Sequence, residues 1–389
     1  MDKKLEFNYP IMKSVIRIII VLSVSLNGYS QEKMTSSYIG KIDYVMPHEI
    51  EPHEGTWLQW PHHYQYGKAY RNSLDRTWVD MTKALVEGEK VFIIAYDDAE
   101  KERITSLLKE TGVNMENIDF HIYKTDDAWV RDSGPIFVHD NENRLVVQNW
   151  GFNGWGQKVD EITGYPIAFQ YCNTIPLKIA EDQKKRLVNV EHLMINEGGS
   201  IEVDGNGTLM ACKSSVLNKN RNPGMTQQEA ENIFTKYLGV TNFIWLEGQK
   251  GLELTDQHID GFARFGNAST IVTMGEADLL EFEVRKKDID ILFSAKNKFG
   301  EAYEFVKVPL TIENVTTTSG NDLGYKGSYV NFYVANSVVL VPNYNDANDL
   351  VVNAIIQSLY PNRKVIGIDV RNLYQYGGMI HCVTQQQPQ

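Results

Sequence analysis

Cys382 lies seven residues from the C-terminus, in Gly377-Gly378-Met379-Ile380-His381-Cys382-Val383-Thr384-Gln385-Gln386-Gln387-Pro388. A cysteine beside a glycine pair, in a chain with a histidine and carboxylates elsewhere, is a candidate nucleophile. A buried structural thiol explains the same segment. His258 and Asp260 stand in Thr255-Asp256-Gln257-His258-Ile259-Asp260-Gly261-Phe262. Read as a strand, this segment points both side chains to one side, because side chains alternate with period two. An imidazole and a carboxylate in one small space suit acid/base work or form a structural pair, but they are too few for zinc. Asp126-Asp127-Ala128-Trp129-Val130-Arg131-Asp132-Ser133-Gly134-Pro135 sets carboxylates beside an aromatic face, a combination that suits a cation. A solvated loop accounts for it equally. Glu197-Gly198-Gly199-Ser200 offers backbone that can approach a ligand closely, or a tight turn.

Taken together these residue types specify a reaction. A guanidinium is planar and cationic, and its N–H groups match carboxylates in bidentate fashion. Two aspartates can hold its nitrogens while a thiolate attacks the central carbon. A histidine can protonate the departing amine and then activate water.

The elements that must position these groups alternate between short apolar strands and amphipathic helices. Leu74, Trp78, Met81 and Leu85 share one helical face, and Val91 to Tyr96 follows as a buried strand. A helix around Ile104, Leu107 and Leu108 ends near Gly112, and Ile118 to Tyr123 returns as strand. Ile136–Val138 and Leu145–Val147 flank the turn Asn141-Glu142-Asn143. Thr226-Gln227-Gln228-Glu229 opens a helix with a capping box, which ends near Gly239 before the strand Asn242 to Leu246. Ser328–Phe332 and Val338–Val341 read as a hairpin, followed by a helix from Leu350 to Leu359 and a strand from Val365 to Val370. The pattern predicts an α/β fold of weakly repeated units in a single domain.

The chain of 389 residues is 42% hydrophobic, enough for a sizeable core, and carries a formal charge of −12 without a Lys/Arg stripe for nucleic acid. Lys3, Lys4, Lys13 and Arg17 precede or enter the apolar run Ile18 to Leu26, and small polar residues follow up to Ser30. This predicts a signal peptide over residues 1–30, a linker over 31–42 and a catalytic domain over 43–389. The mature protein is then exported, to the periplasm or beyond, with no membrane span. If the segment is not a signal, the protein is cytoplasmic. Three cysteines, Cys172, Cys212 and Cys382, leave at least one unpaired within the chain. Cys212, in Thr208-Leu209-Met210-Ala211-Cys212, reads as a core thiol on a buried strand. Whether it pairs with Cys172 is open, as is the oligomeric state, a homo-oligomer included.

The four polar clusters, in this order, resemble the agmatine deiminase and Porphyromonas-type peptidylarginine deiminase family. Met46-Pro47-His48-Glu49-Ile50-Glu51-Pro52-His53-Glu54-Gly55-Thr56-Trp57, Asn149-Trp150-Gly151-Phe152-Asn153-Gly154-Trp155-Gly156 and Ser328-Tyr329-Val330-Asn331-Phe332-Tyr333 extend the likeness from about residue 43 to the C-terminus. The resemblance implies a five-bladed α/β propeller of the pentein type with its site on the central axis. It implies Cys382 as nucleophile, His258 as general acid/base and Glu197 as the acid that orients it. Asp132 and Asp260 become the guanidinium-binding carboxylates, with Trp129, Gly377 and Gly378 lining the pocket. The implied intermediate is a covalent thiouronium, and no metal or organic cofactor is required. One departure concerns substrate choice. Agmatine deiminases often carry a Glu four residues before the catalytic histidine, where this chain has Leu254, with Glu253 one place off. The first expectation is conversion of agmatine, a polyamine precursor, to N-carbamoylputrescine and ammonia. The second is conversion of arginine to citrulline in exported peptides or proteins.

Overall fold

Val91 to Ala95 is apolar at every position, the pattern of a strand covered on both faces, and it lies between two parallel neighbours with all five side chains buried. The computed structural model describes residues 42–160 and 164–389. The signal peptide expected over residues 1–30 lies outside the described residues. Within them, the strands form five small sheets that repeat one plan. Two antiparallel strands are followed by a helix and then by a strand parallel to the second.

The plan appears first as Ile136–Asp140, Leu145–Asn149, helix Ile175–Asp182 and Arg186–Asn189. It recurs as Ile201–Val203, Thr208–Cys212, helix Gln227–Leu238 and Asn242–Leu246. The third unit is Ala263–Asn267, Thr270–Thr273, helix Lys286–Phe293 and Glu304–Lys307. The fourth is Tyr333–Val334, Val338–Asn343, helix Asn348–Leu359 and Lys364–Asp369. The fifth joins the two ends of the domain. Thr384–Pro388 pairs antiparallel with His53–Gln59, which continues through helix His63–Leu85 to the parallel strand Lys90–Ala95. Helix Asp98–Glu110 and strand Ile118–Ile122 extend this last sheet.

Local chemistry sets the element bounds. Thr226 caps the helix Gln227–Leu238 in a full capping box with Glu229, and Gly239 ends it at φ 76°, a conformation that costs glycine little. Leu74, Trp78, Met81 and Leu85 are fully buried along one face of helix His63–Leu85. Each contributes roughly 1.5–3 kcal/mol of burial free energy. Two sequence expectations need correction. Ser328–Phe332 is not strand, and the hairpin partner of Val338–Asn343 is only Tyr333–Val334. Ser328–Phe332 instead runs buried, with Asn331 spending its side-chain polar groups on neighbouring segments. Nor is His258–Asp260 strand: a 3-10 turn spans Ile259–Gly261, and the strand begins at Ala263.

The turns matter because each precedes the first strand of a unit. Val130–Ser133, Gly198–Ser200, Ile259–Gly261 and His381–Val383 are all short helical turns in that position, and irregular Ser328–Phe332 takes the fifth. Turn Val130–Ser133 packs against both Gly198–Ser200 and His381–Val383, and Gly198–Ser200 packs against Ile259–Gly261. The repeat therefore gathers segments distant in sequence into one place.

Candidate active site

Gly199 marks the centre of that place. A methyl group added there would lie 2.8 Å from Asp132 Oδ1, 2.8 Å from His258 Nδ1 and 3.1 Å from Asp260 Oδ2. Three polar side chains from two units thus converge on the glycine of a third, and the absence of a side chain at 199 leaves room for the volume they share. Asp132 is held by the Gly199 N–H, 3.0 Å from Oδ1, and by the Trp155 indole N–H, 2.9 Å from Oδ2. His258 Nδ1 faces Asp132 Oδ1 at 3.6 Å, and its Nε2 donates to Glu197 Oε2 at 2.9 Å. Glu197 is fixed from behind by Arg221 Nε at 2.7 Å, and Arg221 Nη1 reaches Asp256 Oδ2 at 2.7 Å. Asp256 and Gln257 lie in the left-handed region, at φ 62° and 72°, turning the chain sharply just before His258.

Cys382 enters from the fifth unit. Its Sγ is 3.8 Å from Asp260 Oδ2 and 3.4 Å from Asn331 Oδ1. Asn331 Oδ1 also accepts from the His381 N–H at 2.9 Å, and its amide donates to the Asp260 carbonyl at 3.1 Å. Trp129 closes one side: a methyl group at Gly378 would press into the Trp129 ring and lie 3.3 Å from Cys382 Cβ. Gly378 is thus needed for the ring to lie beside the thiol. Gly377 takes φ 93°, which shapes the same loop, and no atom approaches the position of its missing side chain.

The electrostatics follow from burial and crowding. Burial, with the charges of Glu197 and Asp260 adding, pushes Asp132 up to about 6 even though His258 opposes the shift. Burial alone would depress His258, but Asp132 and Glu197 overcome it and raise the imidazole to about 9. Burial and the neighbouring Asp260 and Asp132 push the Cys382 thiol well above its usual range. Asp260 goes the other way: burial resists its ionisation, but the hydrogen bond from His381 holds it below the usual carboxylate range. The pocket therefore presents two carboxylates, an imidazolium and a protonated thiol at neutral pH. An incoming cation stabilises the thiolate.

The family profile of Porphyromonas-type peptidyl-arginine deiminases matches residues 45–388. The chain belongs to this family. An agmatine deiminase of Pseudomonas aeruginosa (strain LESB58) is 30% identical over 359 residues, covering 88% of this chain and 95% of that one. The agmatine deiminase of Enterococcus faecalis has a similar structure, with a TM-score of 0.76 at 25% identity over 89% of this chain and 96% of the other. A C. jejuni agmatine deiminase solved with substrate bound gives 0.74 at 26% identity, over 91% and 99% of the respective chains. The fold is the mixed α/β pentein fold of these deiminases.

The residues that carry the family resemblance thus meet in space: Cys382, His258, Asp260, Asp132, Glu197 and Trp129 all contribute to one pocket. The other cysteines do not join them. Cys172 and Cys212 are fully buried, and all three thiols are free, so the two do not pair. Cys172 accepts from the Asp126 N–H at 3.2 Å and from the Gln59 amide at 3.3 Å, while Cys212 ends a core strand. Residue types alone do not mark Asn331, Arg221, Trp155 or His381. Trp155, Asn331 and His381 stand inside the segments that carry the resemblance, but a role for each requires a partner from another segment.

The departure at Leu254 is also resolved locally. Leu254 packs against the core, and the neighbouring Glu253 turns back on its own loop, accepting from the N–H groups of Thr255 at 2.5 Å and Gln257 at 2.6 Å. Glu253 is committed to holding the bend before His258.

Proposed function

We propose that this chain hydrolyses agmatine to N-carbamoylputrescine and ammonia, with Cys382 as nucleophile and His258 as acid/base. The observation that carries the reading is the convergence of Asp132, Asp260 and His258 around Gly199, with the Cys382 thiol beside Asp260. Two aspartates facing one volume suit the paired N–H groups of a guanidinium. The substrate of the similar C. jejuni and E. faecalis enzymes supports agmatine as the small cation.

Binding of the cation releases the thiol proton to solvent and leaves a thiolate. Sγ attacks the guanidinium carbon, giving a neutral tetrahedral adduct. His258 protonates one amino group, which departs as ammonia, and the remaining carbon is bonded to sulfur as a cationic thiouronium. Neutral His258 then takes a proton from water as its oxygen attacks the same carbon. Collapse breaks the C–S bond, returns the thiolate and frees the ureido product with loss of a proton. Glu197, anchored by Arg221, keeps the imidazole aimed through both halves.

Leu254 favours a second reading, in which arginine of an exported peptide is the substrate. No acid stands at that position to meet a free ammonium. Product analysis separates the two. Agmatine yielding N-carbamoylputrescine supports the first reading, and citrulline formed only in a peptide ending in arginine replaces it with the second. Export through residues 1–30 is part of this proposal, and comparison of the secreted and cytosolic fractions tests it.

A further inference from the structure

His381, directly before the nucleophile, occupies a position the proposed reaction does not use. Its ring is buried between two carboxylates: Nδ1 is 2.7 Å from Asp260 Oδ2 and Nε2 is 2.9 Å from Glu49 Oε2. Neither carboxylate can donate a proton to the ring while both are ionised. Burial works against ionisation in each, but apart from His381 itself Arg264 and Arg131 favour it in Glu49, and His258 and Arg264 favour it in Asp260. Two ionised acceptors on opposite ring nitrogens require two ring protons.

The surroundings agree with that count. Glu202 Oε1 on strand Ile201–Val203 lies 3.9 Å from Nε2 and accepts from Arg264 Nε at 2.7 Å. Arg264, on strand Ala263–Asn267, also reaches Glu49 Oε2 at 3.0 Å. Arg131, on the turn Val130–Ser133, reaches the same oxygen at 3.3 Å and donates from Nε to the His381 carbonyl at 3.1 Å. Cys382 follows on the same turn. Three buried carboxylates, Asp260, Glu49 and Glu202, thus face two arginines, and a cationic His381 balances them.

We propose that His381 is a positioning residue for the reaction, an imidazolium with a proton on each ring nitrogen that bridges Asp260 to Glu49 and keeps Asp260 charged and aimed at the substrate's guanidinium. The proposal rests on the reading of Asp260 as a substrate ligand. Its mechanical basis is the hydrogen-bonded row Asp260–His381–Glu49, with Arg131 and Arg264 both anchoring its Glu49 end.

Two measurements test it. Neutron diffraction from deuterated crystals of the unmodified protein reads the ring directly and needs no activity. Deuterons on both Nδ1 and Nε2 at neutral pH, with none on Asp260 or Glu49, are expected. A single ring deuteron, or one on either carboxylate, overturns the proposal whether or not the protein proves to be a deiminase. In His381→Gln, KM for agmatine should rise at least tenfold with a smaller fall in kcat. The acidic side of kcat/KM should also steepen, a second ionisation joining the one that Asp132 sets near 6, because Asp260 loses the cation that keeps it ionised. An acidic side of unchanged steepness, with activity lowered evenly across pH, means a purely packing role and contradicts the proposal.

Discussion

His258 Nε2 donates to Glu197 Oε2 across 2.9 Å, which leaves Nδ1 facing Asp132 Oδ1 at 3.6 Å. The pair fixes which ring nitrogen looks into the pocket, and it sets the pH dependence. In the proposed reaction the acid must keep its proton and the substrate carboxylate must lose one. Asp132, raised to about 6 chiefly by burial, must be ionised, so kcat/KM should rise as pH passes about 6. His258, raised to about 9 by Asp132 and Glu197 against the effect of burial, must be protonated, so kcat/KM should fall as pH passes about 9. The two groups are coupled, and the limbs belong to the pair. A pH–rate profile from 5 to 10 reads both. Glu197→Gln should bring the basic limb to lower pH, and a limb unmoved in that variant would mean that Glu197 does not tune His258.

Removing the nucleophile should separate chemistry from binding. Cys382→Ala is expected to lose turnover by on the order of 10^3-fold or more while still binding substrate. Calorimetric titration with agmatine checks the binding half, and retained turnover in this variant would rule out Cys382 as the attacking group.

Asp260→Asn removes a charge that His381 contacts and that the proposed reaction assigns to the substrate. Truncating one partner of a buried charge pair costs about 2–5 kcal/mol, so KM should rise on the order of 10^2-fold with kcat also reduced. Steady-state kinetics decide it. Wild-type constants in this variant would mean that the guanidinium binds elsewhere.

Asn331 holds the thiol, the His381 N–H and the Asp260 carbonyl at once. Losing one buried partner costs about 1–3 kcal/mol, so Asn331→Ala should lower kcat by roughly 10- to 100-fold. Thermal melting with the kinetics distinguishes a misplaced nucleophile from an unfolded domain.

Gly199→Ala is the most local probe of the pocket. The added methyl group presses on Asp132 Oδ1 and His258 Nδ1 at 2.8 Å each. These are side-chain ends, so the fold should persist with a modest loss of melting temperature. Displacing positioned groups by about 1 Å costs on the order of 10^2-fold in rate. A fully active Gly199→Ala would show that the substrate does not sit over this residue.

Much of the fold is legible in the sequence where local rules act alone. Thr226 and Glu229 form the capping box their spacing predicts, and Leu74, Trp78, Met81 and Leu85 bury the face their period defines. Local rules fail where tertiary contacts override them. Asp256 and Gln257 take positive φ, with Asp256 held by Arg221 and Lys158 from distant segments, and His258 emerges from a turn, not a strand. Ser328–Phe332 has strand-like residues but runs without strand pairing and places Asn331 beside Cys382. The buried row Asp260–His381–Glu49 brings together residues from three segments, separated by 121 and 332 positions along the chain. No local pattern announces it.

Acid-quench mass spectrometry during turnover of agmatine tests most directly whether Cys382 is the attacking group. A covalent adduct, heavier by agmatine less ammonia, is expected on the peptide that carries Cys382, with Cys172 and Cys212 unmodified. An adduct on either of the other cysteines, or ammonia release with no adduct at Cys382 under any quench, would contradict that role.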